Sequence, residues 1–312
     1  MNIQQLEYII AVDHFKNFTK AAARCFVTQA TLSAMVKKLE EELEVILFDR
    51  TPQGVFTTNA GKEIIEEAKK VILHSQLLID RAKEIHGKIE GKVKVGIIPT
   101  IANTLLPLIV KPILDTYPHL SLEIFELTTD VIVKQLKNGD LDIGILATPI
   151  NYEEIEKVVL FEEALMVYGD VSTDKKYIMP EEIKSQKIWL FEEGHCLRDQ
   201  FIKLCSLKKK ENTVKNLQLK VSSFETLLNM VDEFGGLTLI PELYYKILSE
   251  EKKIKVTFFN TPIPVREMSI VYYKPYSKIK IIEALAKIIR LQVRKDLIAD
   301  QYHAEERAIV RT

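Results

Sequence analysis

No apolar run in this chain reaches the roughly 18 residues that a membrane span requires, so neither a span nor a membrane partner is expected. Charge of one sign is lacking too. Lys plus Arg total 43 and Asp plus Glu 44, a net of −1. A basic coat is therefore excluded, and any contact with DNA must come from a local face. Cysteine is scarce: Cys25, Cys196 and Cys205 are the whole complement of 312 residues, too few for a disulfide scaffold. The start of the chain carries Gln4, Gln5, Glu7 and Asp13 rather than the basic, apolar and small segments of a secretory leader. A cytoplasmic location is the expectation, and a disulfide there is transient or regulatory. With 11 glycines, 11 prolines, 47% apolar and 28% charged residues, low-complexity, collagen-like and wholly disordered chains are excluded as well.

At roughly 150 residues per domain the length allows two or three domains. Residues 1–57 read as short helices followed by a turn-containing wing at Phe48–Phe56, and residues 58–90 as a long helix ending in a hinge at His86–Gly91. From 91 to 303, β-rich apolar runs recur at Val93–Pro99, Leu120–Leu127, Leu141–Ala147, Val158–Tyr168, Lys187–Phe191, Gly236–Ile240, Ile254–Phe259 and Met268–Tyr273, with helical stretches between most of them. Such alternation predicts an α/β fold with mainly parallel strands. Residues 304–312 read as a tail.

Thr28 suits a helix N-cap, with Val27 and Leu32 placed to form a hydrophobic staple. From Gln29 to Leu43 the apolar residues fall at 32, 35, 36, 39 and 43, one stripe about 100° wide on a helix. Away from it lie Ala30, Ser33, Ala34 and Lys37, with Gln29 at its edge. Small and polar residues let a helix enter a groove closely; Gln and Ser read base edges or phosphates, and Lys reaches phosphate. An ordinary solvated face fits the same periodicity. Charge placement favours the groove, since no acid occurs from 14 to 39 while Lys16, Lys20, Arg24, Lys37 and Lys38 all lie there. Cys25, beside Phe26, reads as a small buried hydrophobe with no redox role.

Leu6-Glu7-Tyr8, Phe18-Thr19-Lys20-Ala21-Ala22, Val27-Thr28-Gln29-Ala30-Thr31-Leu32-Ser33, Leu39-Glu40, Leu47-Phe48-Asp49-Arg50 and Thr58-Asn59-Ala60-Gly61 resemble the DNA-binding domain of LysR-type transcriptional regulators. The resemblance implies a winged helix-turn-helix that binds double-stranded DNA through Thr28, Gln29, Ala30, Thr31, Ser33, Lys37 and Arg50. Thr57 departs from the pattern, where an apolar residue is usual.

From Gly61 the apolar positions run 64, 65, 68, 71, 72, 78, 82 and 85. A helix of about 28 residues spans roughly 42 Å and needs a partner for its stripe. Self-pairing into a coiled-coil-like dimer is the simplest answer, with packing onto its own domain as the alternative. A dimer would set paired recognition helices on a two-fold site. In the α/β half, Thr100 and Thr129 each end a strand and open a helix, and Ser222-Ser223 repeat the arrangement. Ligands bind at such places in open α/β sheets; plain helix caps also look like this. The resemblance to LysR-type effector domains extends through this half. It implies a periplasmic-binding-protein-like regulatory domain of two Rossmann-like subdomains, joined by crossover strands, with an effector site in the cleft.

The run from Glu193 to Cys205 follows the Lys187–Phe191 segment, so Cys196 is expected near a helix N-terminus. There the dipole favours thiolate, His195 and Arg198 add positive charge, and Asp199 offers a counter-charge. A buried inert cysteine competes with that reading, as does a thiol peroxidase; a zinc site lacks ligands, with only His195 close. Gly194-His195-Cys196-Leu197-Arg198-Asp199-Gln200, with a second cysteine nine residues after the first, is similar to the OxyR group of peroxide-responsive LysR-type regulators. That resemblance implies that Cys196 is peroxidatic and Cys205 resolving, and it aligns Thr100, Thr129 and Arg266 with a peroxide pocket. It further implies a homo-oligomer, dimer or tetramer, that works with RNA polymerase, takes hydrogen peroxide as its signal and needs no cofactor. A LysR-type regulator that binds a small metabolite in the cleft is the alternative. The basic run Lys208-Lys209-Lys210 and Gln218, where some members carry histidine, depart from the group. Nine helical residues separate Cα atoms by about 13.5 Å, whereas a disulfide needs roughly 4.4–6.8 Å. If 196–205 is helical when reduced, bridging must unwind it.

Overall fold

The structure, a computed structural model, describes residues 1–311 except 53, 86–88, 172–176, 185, 208–212, 215, 216, 275, 277, 295 and 296. The chain divides into two compact units, Met1–Gly87 and Lys88–Thr312.

In the first unit, α1 (Ile3–Phe15), α2 (Phe18–Arg24) and α3 (Gln29–Leu43) precede a two-stranded wing, β1 (Phe48–Thr51) and β2 (Gly54–Thr57), and the long α4 (Asn59–Ile85). Local caps set the helix starts. The Asn2 side chain accepts from the Gln5 N–H, Asn17 from Lys20, and Thr28 from Thr31, each contribution worth about 1 kcal/mol. Leu32, Val36 and Leu39 bury the α3 stripe against Leu6, Ile9, Val12 and Ala21. Thr58 accepts from the Gly61 N–H and donates to the Ile46 carbonyl. A Cβ at Gly61 would collide with the Leu47 carbonyl oxygen, so only glycine fits there. Thr57, the departure noted above, donates its hydroxyl to Asp13 and accepts from Lys16, which satisfies a polar group at a usually apolar position. Of the expected hinge, residues 86–88 lie outside the described residues.

In the second unit, β3 (Gly91–Ile97), α5 (Pro99–Thr116), β4 (Leu120–Glu126), α6 (Thr129–Asn138) and β5 (Ile143–Thr148) lead into the long β6 (Ile155–Gly169). After β7 (Tyr177–Ile178) come α7 (Cys196–Leu204), β8 (Thr213–Val214), β9 (Leu217–Gln218), α8 (Phe224–Phe234), β10 (Leu237–Pro241), α9 (Glu242–Ile247), α10 (Glu250–Lys253) and β11 (Val256–Phe259). The long β12 (Ile263–Tyr273), α11 (Ile279–Val293) and β13 (Arg307–Ile309) complete the unit. One sheet runs in the order β4-β3-β5-β12-β6-β11-β7, with β10 on β6 and β13 on β12. β6 and β12 pair antiparallel over most of their length and serve two hydrophobic cores. These are the two subdomains and their crossover strands.

Three expectations need correction. The sheet is mixed rather than mainly parallel: the β3–β4 and β3–β5 pairs are parallel, while β12 runs antiparallel to β5 and β6, and β6 to β10 and β11. Helical crossovers give the first kind, and strands passing between subdomains give the second. Lys187–Phe191 forms only one bridge, Ile188 beside Leu237. Its ladder ends where the Phe191 carbonyl accepts the Arg198 guanidinium instead. Of the expected tail 304–312, the described residues 304–311 are not loose, because β13 joins the sheet beside β12 and Val310 is buried. No helix among the described residues is long and apolar enough to cross a membrane.

Candidate functional site: a buried thiol pocket and a nucleic-acid face

Cys196 is the first residue of α7, and Thr100 and Thr129 lie in the first turns of α5 and α6. All three are buried. Arg266, from β12, is fully buried and donates to Glu163 Oε1 at 2.7 Å, to Thr100 Oγ1 at 3.1 Å and to the Thr100 carbonyl at 3.0 Å. Glu163, equally buried, also accepts the Leu243 N–H at 3.0 Å. The pair is a buried charge with its counter-ion, the arrangement that burial demands.

Burial pushes the Cys196 thiol up from its ordinary pKa; against it act the Arg266 charge, the Thr129 and Thr100 hydroxyls and the Leu197 N–H. Thr129 Oγ1 lies toward the sulfur, yet it is buried and meets no partner at full hydrogen-bonding geometry. An orphaned buried hydroxyl beside a thiol leaves a polar group free for a small ligand. Cys205, just past the end of α7, is fully buried, and burial raises its thiol to about 12. Both thiols are free. Cys196 belongs to the core of the first subdomain, whereas Leu197, Phe201 and Cys205 belong to that of the second.

On the first unit, Thr28, Gln29, Ala30 and Thr31, around the start of α3, and Lys37 further along it are exposed. Arg50, on the wing, donates to Ser33 Oγ at 2.9 Å and stacks over the Phe18 ring at 4.1 Å. Phe26, in the turn before α3, is 90% exposed with φ +56°.

Two family models match: the bacterial regulatory helix-turn-helix protein of the lysR family over residues 3–62, and the LysR substrate binding domain over 86–293. The chain belongs to the LysR family. It is 33% identical to the "DNA-binding transcriptional dual regulator OxyR" of Escherichia coli K12, covering 94% of this chain and 96% of that one. It is also 33% identical to the "Hydrogen peroxide-inducible genes activator" of Haemophilus influenzae, over 87% of this chain and 90% of the relative. Among solved structures, a full-length OxyR variant of Pseudomonas aeruginosa matches with a TM-score of 0.75 at 31% identity, over 94% of this chain and 96% of that one.

In this LysR-family chain the pocket brings together Cys196, Thr100, Thr129 and Arg266, four of the residues expected to meet. Other expected supports fall elsewhere. His195 is buried and stacked on Phe191, with ring centroids 5.2 Å apart, and burial lowers its pKa despite Glu192 nearby. It is neutral and supplies no charge to the sulfur. Arg198 spends its guanidinium on the Phe191 carbonyl, and Asp199 is exposed to solvent. The helix N-terminus does not deliver a thiolate at rest, because burial outweighs it. Cys25 is half-buried rather than buried. Glu163 was not anticipated, although a charged pair inside the apolar run Val158–Tyr168 is a signal for a buried ion pair. Residues 208–210 and the Gln218 side chain lie outside the described residues.

Proposed function

We propose that this LysR-family chain is a DNA-binding transcriptional regulator that senses hydrogen peroxide by oxidation of Cys196 and disulfide formation with Cys205. One observation carries the reading: a buried thiol faces a buried guanidinium and an unpartnered Thr129 hydroxyl, and a second thiol stands just past the other end of the same helix. The name of the Haemophilus influenzae relative supports the same signal. In the first step Cys196 gives up its proton and its sulfur attacks one peroxide oxygen. The O–O bond breaks, and the departing hydroxide takes up the proton as water, leaving a sulfenic acid. Arg266 and Thr129 are placed to hold the oxygens. In the second step Cys205 loses its proton and attacks the Cys196 sulfur. The S–O bond breaks, a second water leaves, and the two sulfurs have together given two electrons to peroxide.

α7 holds the two Cα atoms about 13.5 Å apart by its rise, so the second step requires it to unwind. Unwinding also removes Cys205 from the burial that keeps its thiol protonated. α7 joins two subdomain cores, and its refolding would rearrange the regulatory domain of an oligomer bound to a two-fold DNA site, and with it contact with RNA polymerase. Gln29, Ala30, Thr31, Ser33, Lys37 and Arg50, with Thr28 as the cap, are the residues proposed to meet DNA. The protein turns over no substrate in this scheme, since one peroxide sets one switch.

Intact mass and peptide mapping after a brief peroxide pulse test it. The expected result is a Cys196–Cys205 disulfide in the wild type, no reaction in Cys196→Ser, and a stalled sulfenic or higher acid in Cys205→Ser. Free thiols at both positions while transcription still switches would instead favour a metabolite in the cleft. Continuous peroxide consumption by catalytic amounts of protein would favour a peroxidase.

A further inference from the structure

The last strand connects to the switch helix. β13 runs parallel to β12 with Arg307, Ala308 and Ile309 beside Ile263, Pro264 and Val265, the three residues that lead into Arg266. The Val310 N–H donates to the Val265 carbonyl at 2.8 Å, and Val310 is buried in the core that also holds Phe201 and Cys205. The Val310 carbonyl accepts Gln200 Nε2 at 2.9 Å. Gln200 sits in the middle of α7 and is fully buried. Arg307 adds an ion pair to Glu162 at 2.9 Å. The match to the LysR substrate binding domain covers residues 86–293, and the strand follows it.

Gln200 reaches Val310 only from a helical α7. We infer that the C-terminal strand is a latch on the switch: it docks while α7 is helical, and unwinding of α7 withdraws Gln200 and frees residues 304–311. This inference rests on the disulfide reading above. Docking then stabilises the reduced form alone, so the strand opposes oxidation and helps to set the oxidising strength at which the switch trips. By linkage, whatever binds one state and not the other shifts the equilibrium by its full docking energy. Without the strand, the same dithiol oxidises under milder conditions.

The test uses the full chain, a variant ending at His303, and Gln200→Leu. Each is equilibrated in glutathione buffers, where the disulfide and two glutathione thiols exchange for the dithiol and one glutathione disulfide. Backbone amide exchange is followed in reduced and oxidised wild type. In the oxidised form the amides of Ile309 and Val310 are expected to lose protection. The truncated chain should be half-oxidised at an oxidised-to-reduced glutathione ratio about tenfold lower than wild type, the scale of a hydrogen bond plus a short strand pairing. Gln200→Leu should shift the same way, and should add nothing in the truncated chain, a coupling that mere loss of packing would not produce. If truncation prevents folding, Gln200→Leu and the exchange data still decide. A wild type that forms the disulfide yet keeps Ile309 and Val310 equally protected, or variants with unchanged redox equilibria, would overturn the latch alone. Absence of any Cys196–Cys205 disulfide in the wild type would overturn both readings.

Discussion

Arg266→Met separates the structural and chemical roles of the buried pair. The guanidinium has no exposure and makes hydrogen bonds to Glu163, Thr100 Oγ1 and the Thr100 carbonyl. Its removal leaves the Glu163 charge buried without its counter-ion, a loss of about 3–5 kcal/mol. For a domain of roughly 150–250 residues each kcal/mol lowers Tm by about 2–4 °C, so the reduced variant should melt about 6–20 °C lower. The double variant Arg266→Met/Glu163→Gln should recover most of this. The substituted amide keeps an acceptor oxygen for the Leu243 N–H, which lies 3.0 Å from a Glu163 oxygen in the wild type, and no bare charge remains. Reactivity should not recover. Arg266 is the charge that opposes burial at the Cys196 thiol, so its loss pushes that thiol's pKa further up, makes the thiolate scarcer and removes a donor from the reacting oxygens. Both variants should therefore react with peroxide at least about tenfold more slowly, read by stopped-flow thiol loss beside calorimetric Tm. A double variant that regains rate as well as Tm would reduce Arg266 to a structural residue. A single variant with wild-type Tm would show that the pair is not held as buried charges.

Lys37→Ala should weaken binding to every DNA sequence and flatten the salt dependence by about 0.9 in log–log slope, the loss of one phosphate contact; Gln29→Ala should relax sequence preference, and unchanged affinity in both would move the interface off α3. Phe26→Asn should stabilise the DNA-free first unit by about 1 kcal/mol, because Asn tolerates the left-handed backbone that an aromatic residue resists; a lower Tm would show that the exposed ring contributes to the fold. Because burial depresses the His195 pKa below its ordinary 6.5, the unfolded chain takes up a proton that the folded one refuses as pH falls past that value. Reduced-state stability should then drop on acidification, no faster than about 1.4 kcal/mol per pH unit from this group, and His195→Phe should flatten the drop in urea melts taken across that range.

The DNA-binding unit was legible because its determinants are local. Thr28, the α3 stripe and the Thr58–Gly61 turn each act within a few residues, and the structure shows the capping bond, the buried face and the steric need for Gly61. The pocket is different. Thr100, Thr129, Cys196 and Arg266 come from four elements, and their meeting was expected only through the resemblance. The acidic pair inside the apolar run Val158–Tyr168 marks Glu163 but not its partner, which depends on a strand register that sets Arg266 beside it in β6 and β12. β13 escaped for the same reason: three residues carry no periodicity, and their place is fixed by Val265, Gln200 and Glu162 elsewhere in the chain.

The charges around Cys196 show why burial had to be known before function could be refined. In sequence, His195, Arg198 and a helix start all argue for a thiolate. In the fold, the imidazole is desolvated and neutral, Arg198 is turned to a carbonyl, and the sulfur is buried deeply enough that its own desolvation exceeds the help it receives. A thiol held protonated and out of solvent is a poor target for bulky or charged oxidants. On the proposed reading a small neutral one is met by the Arg266 charge and by the Thr129 hydroxyl, which has no partner at full hydrogen-bonding geometry. In the proposed sensor selectivity comes from the pocket, and a protonated resting thiol serves it, since a permanently ionised Cys196 would answer to any oxidant that reached it.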